Sequence, residues 1–500
     1  MSRTRTALIG LFSTTALVAT SFATLGQATA APSEDPSTPV PIVTPDGQLS
    51  SYVVNVGGGK NAWGQAHRAI DAAEGSVVQD WPEIRVVVVH STNGDFRRDV
   101  VAGRAGSAIS SVGSTRTVAV KEGTPGTATG LSDARLARGG AQGEFANTEA
   151  EAVAEDPRET EQWDMKVIKA DQAHQQTDGS SDVLVGVLDS GIDADHPDLD
   201  DNIDTESSVN CSDAGQVDRS ATGWQPTTSD HGTHVAGTIA AERNGEGIVG
   251  VAPDARMASV KVVNDDGFIY PEYAVCGFMW AGLEGMDVTN NSYYVDPFMY
   301  WCGDQPDQAA AMEAVNRAVQ WSTTQGVVHA AAAGNAATDL SDNTTDTASP
   351  NDSQPIPRTI NSSCLDIPAE LPGVVTVSSF ARIGETLDTQ LSSFSNRGLD
   401  VIDVGAPGSR ILSTIVNGNG YGLKSGTSMA SPHAAGVLAL LAGTHPSWGP
   451  AQLKAALEGE ADDKPCAPPQ NNSGAPCEGT DSDNSYAGEG VVDALEAVTP

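Results

Sequence analysis

Apolar residues divide the chain into two regions with different periodicities. Between residues 51 and 120, short apolar segments bounded by turn residues alternate with two amphipathic stretches. Such segments predict strands, and apolar positions that recur every three to four residues predict helices. The predicted strands are Ser51–Val56, Ser76–Gln79, Ile84–His90 and Thr115–Val120, and the predicted helices are Asn61–Glu74 and Phe96–Ala102. The resulting order, β-α-β-β-α-β, is that of the ferredoxin-like arrangement.

From residue 182 onwards, near-continuous apolar runs alternate with longer helical stretches. This pattern predicts an α/β fold with a mostly parallel central sheet and helices on both faces. The predicted strands are Val183–Leu188, Met257–Val263, Asp287–Ser292, Val327–Ala333 and Val374–Ser379. The predicted helices are His231–Ala241, Glu272–Glu284, Gln308–Gln325, Thr427–Ala442 and Pro450–Glu458.

The first thirty residues have the pattern of a secretory signal peptide. Arg3 and Arg5 precede an apolar stretch from Ala7 to Ala23, and Ala-Thr-Ala at 28–30 forms a small-residue cleavage site. A membrane anchor is the competing interpretation, but hydroxyl residues interrupt the apolar stretch. The later apolar run Ala434–Ala442 is too short to span a bilayer. We therefore expect a secreted, extracellular protein without membrane association after cleavage.

Composition shifts define the remaining segments. A Pro-, Ser- and Thr-rich linker (31–50) precedes the small domain (51–120), and a Gly-, Ala- and Glu-rich linker (121–158) follows it. The second linker has few apolar residues to bury, so it is expected to be exposed and cleavable. The large domain occupies residues 159–500.

The charge balance restricts the possible partners. The chain has 65 acidic and 27 basic residues, for a formal net charge of −38. A negatively charged surface cannot neutralise many phosphate groups, which excludes nucleic acid as a partner and disfavours binding to anionic membranes. Most of the acidic residues are expected to be solvated on the surface, and use of some as calcium ligands is the minority interpretation.

The six cysteines are an even number in a chain with an export signal, so disulfides are expected. Six cysteines allow 15 pairings, and the sequence does not choose among them. We expect Cys466 to pair with Cys477 within one Pro-rich loop, Cys276 with Cys302, and Cys211 with Cys364. The chain has no CxxC pair that would indicate zinc.

Three glycine-bounded segments carry residues suited to catalysis. Asp189 begins Asp-Ser-Gly-Ile-Asp after the first strand of the large domain, His231 begins His-Gly-Thr-His-Val-Ala-Gly, and Ser428 lies in Gly-Thr-Ser-Met-Ala-Ser-Pro-His. Loops at the carboxyl ends of strands line the functional crevice of an open α/β sheet. A serine nucleophile needs an adjacent base, and the base needs an acid that fixes its tautomer. Singly, Asp189 fits a strand-end cap and His231 a helix cap, but the three together indicate this chemistry.

These segments strongly resemble motifs of the subtilisin family of serine peptidases. A fourth segment, Ala-Ala-Ala-Gly-Asn ending at Asn335, resembles the oxyanion-hole segment of that family. The resemblance implies that Ser428 attacks the peptide carbonyl, that His231 takes its proton and that Asp189 orients His231. The amide of Asn335 and the backbone N–H of Ser428 would hold the oxyanion. An esterase or lipase shares the mechanism, but the GxSxG string is absent around Ser428.

The resemblance also implies a substrate-binding strand, and here the chain departs from the family. The family usually has Ser-Leu-Gly or Ser-Trp-Gly on this strand, whereas this chain has Ser292, Tyr293 and Tyr294. The opposite wall would include Ala333 and Gly334. Two hypotheses follow: an active peptidase with a reshaped pocket, or a catalytically weak member whose cleft is blocked. The aromatic insertion at 297–302 lies beside this strand, where cleft lining and core packing remain equally open. Because Ala336 after the asparagine is not acidic, a broad apolar or aromatic preference is expected.

A structural calcium ion is a further implication of the resemblance. Asp198 matches the family's carboxylate ligand, and residues 242–248 have the length of its metal-binding loop. Oxygen ligands of this kind suit calcium. The implied ligands are Asp198, the Asn244 side chain, the backbone carbonyls of Glu242, Glu246 and Ile248, and Glu159. A simple turn at the two loop glycines with a solvated Asp198 is the alternative.

The favoured function is a secreted serine endopeptidase that is made as a zymogen and hydrolyses polypeptides through an acyl-enzyme. Many subtilisins carry a ferredoxin-like propeptide that assists folding and inhibits the active site, so the resemblance implies this role for residues 51–120. Cleavage within 121–158 would release the mature enzyme. A monomer is the default expectation.

Overall fold

The computed structural model describes residues 35–121, 155–416, 418, 420–466 and 476–499. The predicted signal peptide and most of the predicted cleavable linker lie outside the described residues. Within the described part of the chain, no helix combines the length and the apolar character that a membrane span requires.

The small N-terminal domain is a four-stranded antiparallel sheet with helices packed on one face. Its elements are β1 (Ser50–Val56), α1 (Ala62–Ala72), β2 (Gly75–Trp81), β3 (Val86–Ser91), α2 (Phe96–Val100), α3 (Gly103–Gly106) and β4 (Ile109–Ser114). The strand order is β2-β3-β1-β4, with neighbours antiparallel. The prediction of a last strand at Thr115–Val120 was wrong, because pairing with β1 selects the more polar segment 109–114.

Both faces of this small sheet are buried, as the side chains of β1 show. Tyr52, Val54 and Val56 pack with α1 in the core of the small domain. Val53, on the opposite face, packs into a core shared with helices of the large domain. Because successive side chains of a strand point to opposite faces, the sheet is held between its own helices and the large domain. The segment before it, predicted as a linker, also touches the large domain: the Thr38 N–H donates to the Thr359 carbonyl at 2.8 Å.

The large domain has a central sheet of eight strands with helices on both sides. The strands of the large domain, including those outside the central sheet, are β5 (Leu184–Asp189), β6 (Val209–Asn210), β7 (Arg256–Lys261), β8 (Val288–Asn291), β9 (Trp301–Cys302), β10 (Val328–Ala332), β11 (Thr345–Asp346), β12 (Arg358–Thr359), β13 (Cys364–Leu365), β14 (Val374–Arg382), β15 (Thr389–Leu391), β16 (Val404–Pro407), β17 (Ile411–Ile415) and β18 (Gly420–Lys424). Its helices are α4 (Trp163–Val167), α5 (Ala170–Ala173), α6 (His231–Ala240), α7 (Pro271–Glu284), α8 (Pro306–Thr324), α9 (Thr427–Thr444) and α10 (Pro450–Gly459).

The central sheet is parallel except at one edge. Its order is β15-β14-β10-β8-β5-β7-β6, with β16 also paired to β14, and only the β14–β15 pair is antiparallel. Along β5, Val185 and Val187 pack into the core that contains α6 and α9, whereas Leu184 and Leu188 pack into the core that contains α7 and α8. Burying each such side chain contributes about 1.5–3 kcal/mol. The predicted α/β fold with a mostly parallel sheet is confirmed.

The disulfide pairing corrects two of the three predictions. The structure joins Cys211 to Cys276 and Cys302 to Cys364, so the predicted Cys276–Cys302 and Cys211–Cys364 pairs were wrong. The predicted Cys466–Cys477 pair is present. Two strands explain the correction: β9 and β13 are antiparallel neighbours that place Cys302 opposite Cys364. Sequence separation gives no information about that pairing.

Candidate active site

Asp189 and His231 form a hydrogen-bonded pair at the carboxyl end of β5. The His231 Nδ1 atom lies 2.9 Å from both carboxylate oxygens of Asp189. Asp189 is buried, and its Oδ1 also accepts the Ser190 N–H at 2.7 Å. The His231 side chain remains 31% exposed, so its far nitrogen can reach a bound molecule. The pair therefore has the geometry of a base that is oriented by a buried acid.

The charge of Asp189 also sets the basicity of His231. Burial lowers the pKa of His231, but the carboxylate charge and the hydrogen bond from Asp189 more than offset this, and the pKa is raised above its ordinary value. A glycine after the histidine permits the close approach, since a Cβ on Gly232 would lie 3.1 Å from Asp189 Oδ1. Asp230, just before His231, forms an ion pair with Lys424, in which the Lys424 Nζ lies 2.7 Å from the Asp230 Oδ1. This ion pair joins the start of α6 to the strand that leads into Ser428.

Ser428 lies in the first turn of α9 and is hydrogen-bonded to Ser292, the residue that follows β8. Pro432 has no N–H to donate to the Ser428 carbonyl, which would be its partner in an ordinary helix. That carbonyl accepts the Ser292 hydroxyl instead, at 2.8 Å. The Ser428 hydroxyl in turn donates to the Ser292 carbonyl at 3.1 Å. The paired hydrogen bonds hold the hydroxyl of Ser428 at the helix N-terminus, where the positive end of the helix dipole lies.

The side-chain oxygen of Asn335 accepts two hydrogen bonds that hold this residue in the same cleft. Its Oδ1 accepts the Thr427 N–H at 2.8 Å and the Thr427 hydroxyl at 3.0 Å. The amide nitrogen is thereby left for a ligand. Gly334 before it has φ +97° and its missing Cβ would lie 2.4 Å from Asn396 Nδ2, so only glycine fits. The cleft thus offers an amide donor in addition to the Ser428 backbone N–H.

A cavity of about 400 Å³ opens at Ser428 and Asn335. Of the predicted substrate-binding residues, Ser292, Tyr293, Tyr294 and Gly334 line it. Ala333 does not line the cavity: it is buried, and its backbone bonds to Val377 and Asn396, because it continues the sheet.

The two tyrosines leave this cavity open. The ring of Tyr293 is buried in the core and its hydroxyl donates to Asn291 Oδ1 at 3.1 Å. The Tyr294 hydroxyl accepts the Asn351 amide at 2.9 Å at the cavity wall. In the aromatic insertion, Phe298 and Trp301 are buried and pack edge to face at 5.1 Å. The cleft is therefore not blocked by the residues that distinguish this chain.

Apart from Glu159, the predicted metal ligands lie in the loop 242–248 or, in the case of Asp198, hydrogen-bond to it. The Asp198 Oδ2 accepts the Ile248 N–H at 3.1 Å, and its buried Oδ1 has no hydrogen-bond partner. The Asn244 Oδ1 accepts the Glu246 N–H at 2.9 Å. The Glu242 Oε1 accepts the Asp201 and Asn202 N–H groups at 2.9 and 3.2 Å.

Glu159 is the exception, because it is paired with the guanidinium group of Arg243. Arg243 also bonds Asp178, with Nε to Oδ2 at 3.0 Å. A carboxylate held by a cation in this way is not available to a metal ion.

Sequence reasoning missed two acidic residues of the cavity wall, Asp296 and Asp366. Neither lies in a segment that resembles a functional motif. Asp366 directly follows β13, and its place at the cavity depends on the pairing of β13 with β9 and on the Cys302–Cys364 disulfide. The sequence would have indicated this arrangement only if the disulfide pairing had been known.

A family model described as the subtilase family matches residues 180–486. The chain is 34% identical to subtilisin E of Bacillus subtilis (strain 168) over 316 residues, which are 63% of this chain and 70% of the relative. It is 30% identical to fervidolysin of Fervidobacterium pennivorans over 339 residues, which are 61% of this chain and 40% of that relative. The crystal structure of fervidolysin, a keratinolytic enzyme related to subtilisin, has a similar fold, with a TM-score of 0.63 at 24% identity over 90% of this chain and 61% of that chain.

Proposed function

The chain belongs to the subtilase family and is a subtilisin-like serine endopeptidase, and from this premise we propose that it is secreted as a zymogen and cleaves proteins through an acyl-enzyme on Ser428. The observation that carries the site assignment is the buried Asp189 carboxylate bonded to His231 Nδ1 at 2.9 Å. A fixed tautomer leaves the far nitrogen of His231 as a base for the serine hydroxyl.

The reaction proceeds in two steps on this site. In the first, the Ser428 hydroxyl gives its proton to His231 as its oxygen attacks the peptide carbonyl, and His231 then protonates the leaving amine. In the second, His231 takes a proton from water as the water oxygen attacks the acyl-enzyme carbonyl, and the ester bond breaks as His231 returns the proton to the Ser428 oxygen. The Asn335 amide and the Ser428 N–H stabilise the oxyanion of both tetrahedral intermediates.

Contacts between the small and large domains support the zymogen part of the proposal. Arg116 forms a buried ion pair with Glu272 on α7 and lies over the Tyr270 ring at 3.8 Å from its centroid. The Asn55 amide donates to the Ala310 carbonyl of α8 at 2.8 Å. Such contacts fit a domain that forms a complementary complex with the enzyme, as an inhibitory propeptide must.

The segment after the small sheet approaches the cavity. The Thr117 N–H donates to Asp352 Oδ2 at 2.9 Å, and Asn351, the neighbour of Asp352, lines the cavity. A chain that leaves the small domain here is well placed to occupy the cleft before cleavage. We therefore propose residues 51–120 as the propeptide and 121–158 as the region of cleavage.

Secretion and maturation are tested together. When the full chain is expressed in a secreting host, we expect a protein in the culture medium whose N-terminus lies within residues 121–158. A fluorophosphonate probe is expected to label Ser428 of this protein. The physical reason is that only a mature, open site presents an activated serine. N-terminal sequencing and mass spectrometry of the labelled peptide provide the measurement. An unlabelled protein, or one that remains in the cells with residues 51–120 attached, would contradict the proposal.

We also propose a calcium ion at the loop 242–248. The supporting observation is the buried Asp198 Oδ1, which lacks a hydrogen-bond partner and faces a loop rich in backbone carbonyls. An unsatisfied buried carboxylate oxygen is costly, and a hard cation would remove that cost. The ligands would be Asp198, the Asn244 side chain and the carbonyls of Glu242, Glu246 and Ile248. Glu159 is left out of the set because Arg243 holds it.

Removal of this ion is expected to lower the melting temperature of the mature enzyme. An excess of chelator should reduce Tm by roughly 5–10 °C, because a ligand that binds only the folded state stabilises it by mass action. The Asp198→Asn variant should lose this response, whereas Asp200→Asn, an exposed acid two residues away, should keep it. A Tm that is insensitive to chelator in the wild-type enzyme would contradict the site.

A further inference from the structure

The cavity that opens at Ser428 contains a carboxylate with no counter-ion. Asp366 lines this cavity and is only 2% exposed. Its Oδ1 has no hydrogen-bond partner, and no Lys, Arg or His among the residues the structure describes forms an ion pair with it. A buried carboxylate in this condition is costly unless a cation or hydrogen-bond donor meets it.

The second acid of the cavity differs from Asp366 in this respect. Asp296 Oδ2 accepts the Ile269 N–H at 2.6 Å, and its Oδ1 accepts the Asn351 amide at 2.6 Å. Both of its oxygens are therefore used within the protein, and Asp296 supports the cavity wall. Asp366 alone of the two presents an unsatisfied oxygen.

The surroundings of Asp366 repel negative charge. The Asp366 N–H donates to Glu370 Oε2 at 2.6 Å, which brings a second carboxylate beside it. Burial, with the charge of Glu370 adding to it, raises the pKa of Asp366 well above its usual range. Arg358, a buried cation of the same region, is paired with Asp346 instead. A bound cation would offset both the burial of Asp366 and its repulsion by Glu370.

The position of the cavity identifies the occupant. It is bounded by Ser428, which forms the bond to the substrate carbonyl, and by Asn335, which binds the carbonyl oxygen. The side chain that enters it must therefore belong to the residue whose carbonyl is attacked. Gly334 forms part of the wall, and a Cβ there would lie 3.2 Å from Asp366 Oδ2, so the carboxylate lies directly behind the substrate-binding segment.

We propose that Asp366 makes this enzyme selective for lysine or arginine immediately before the scissile bond, an inference that rests on the proposed function of Ser428. A cavity of about 400 Å³ accommodates either side chain. The charged head group would pair with the Asp366 carboxylate while its methylene groups pack against the wall. This proposal departs from the expectation of an apolar or aromatic preference, which was drawn from Ala336, the residue after Asn335.

The test compares peptide substrates that differ only in the residue before the scissile bond: lysine, norleucine, which lacks the ammonium group, and phenylalanine. The wild-type enzyme is expected to have a kcat/KM for lysine about 10²-fold or more above that for norleucine, because an unpaired buried charge is costly. Asp366→Asn should abolish this ratio while hydrolysis of the norleucine substrate stays within about threefold of wild type. Asp296→Asn is the matched control and should keep the lysine preference.

A second measurement does not depend on lysine substrates. Butylammonium ion should inhibit norleucine hydrolysis competitively in the wild type and much less in Asp366→Asn, with fluorophosphonate titration counting the folded, active sites. A wild-type enzyme that prefers norleucine or phenylalanine, or an unchanged ratio in Asp366→Asn, would overturn the inference while leaving the peptidase function intact. Failure of the probe to label Ser428, with no substrate cleaved, would instead overturn the proposed site.

Discussion

Replacement of Ser428 by alanine is expected to lower kcat for peptide hydrolysis by about 10⁶-fold, the size of loss when a triad loses its nucleophile. Without the hydroxyl, no acyl-enzyme forms, and His231 has no proton to take. The residual rate comes from substrate binding and the oxyanion donors alone. Single-turnover kinetics on mature enzyme measure the loss. Because the inactive variant is expected not to process itself, its precursor would accumulate, and the variant should be matured with wild-type enzyme in trans.

Ser431→Ala is the matched control for this prediction. Ser431 is another serine of α9, but it is buried and donates to Asn290 Oδ1 at 2.7 Å away from the cavity lining. Its loss should cost stability of about 1 kcal/mol and leave kcat close to wild type. Near-normal hydrolysis by Ser428→Ala would assign the nucleophile to another residue. A Ser428→Ala chain that loses residues 51–120 when expressed alone would show that maturation is not autocatalytic.

Replacement of Asp189 by asparagine is expected to lower kcat by about 10⁴-fold at neutral pH. The isosteric amide keeps the packing but cannot hold His231 in the tautomer that leaves its far nitrogen free as a base. The pH profile adds a second readout. His231 acts as a base only when neutral, so activity falls as the pH drops through its raised pKa. Removing the Asp189 charge lowers that pKa, so the acidic limb of kcat/KM should move to lower pH.

Asp193→Asn controls for the loss of an acid from the same motif. The Asp193 Oδ1 accepts the Asp195 N–H at 3.2 Å and belongs to the loop after β5. This variant should leave both kcat and the acidic limb near those of the wild type. An Asp189→Asn enzyme with an unshifted acidic limb would contradict the assignment of Asp189 as the partner that raises the pKa of His231.

Long periodic segments made most of the large domain predictable. The five predicted strands of the central sheet and the five predicted helices are all present, with boundaries displaced by at most three residues, because β5 is buried along its whole length and α9 along most of its length. Short strands such as β16 and the β17–β18 hairpin were not predicted. Their pairing depends on neighbours distant in sequence, and a segment of four or five residues carries too little periodicity to identify it.

The chemistry of the site was also predictable, since each of its groups lies in a short segment with a local reason. Asp189 ends a buried strand, His231 and Ser428 begin helices, and glycines admit close approach at these points. Parallel strands then bring their carboxyl ends to one edge. A calcium site at residues 242–248 was predicted in the same way and stays a prediction, and of its predicted ligands Glu159 is paired with Arg243.

Residues that select the substrate were decided by tertiary structure alone. Asp366 is an ordinary acid in an irregular stretch until β9 pairs with β13 and Cys302 bonds to Cys364, which together set it behind Gly334. The burial of Tyr293 in the core likewise depends on the packing around it. By itself, the sequence determined the fold class and predicted the reacting groups, because periodicity indicates the first and local turn segments indicate the second. Only the fold decided which distant side chains share the cavity, because their proximity arises from long-range pairing that no local pattern records.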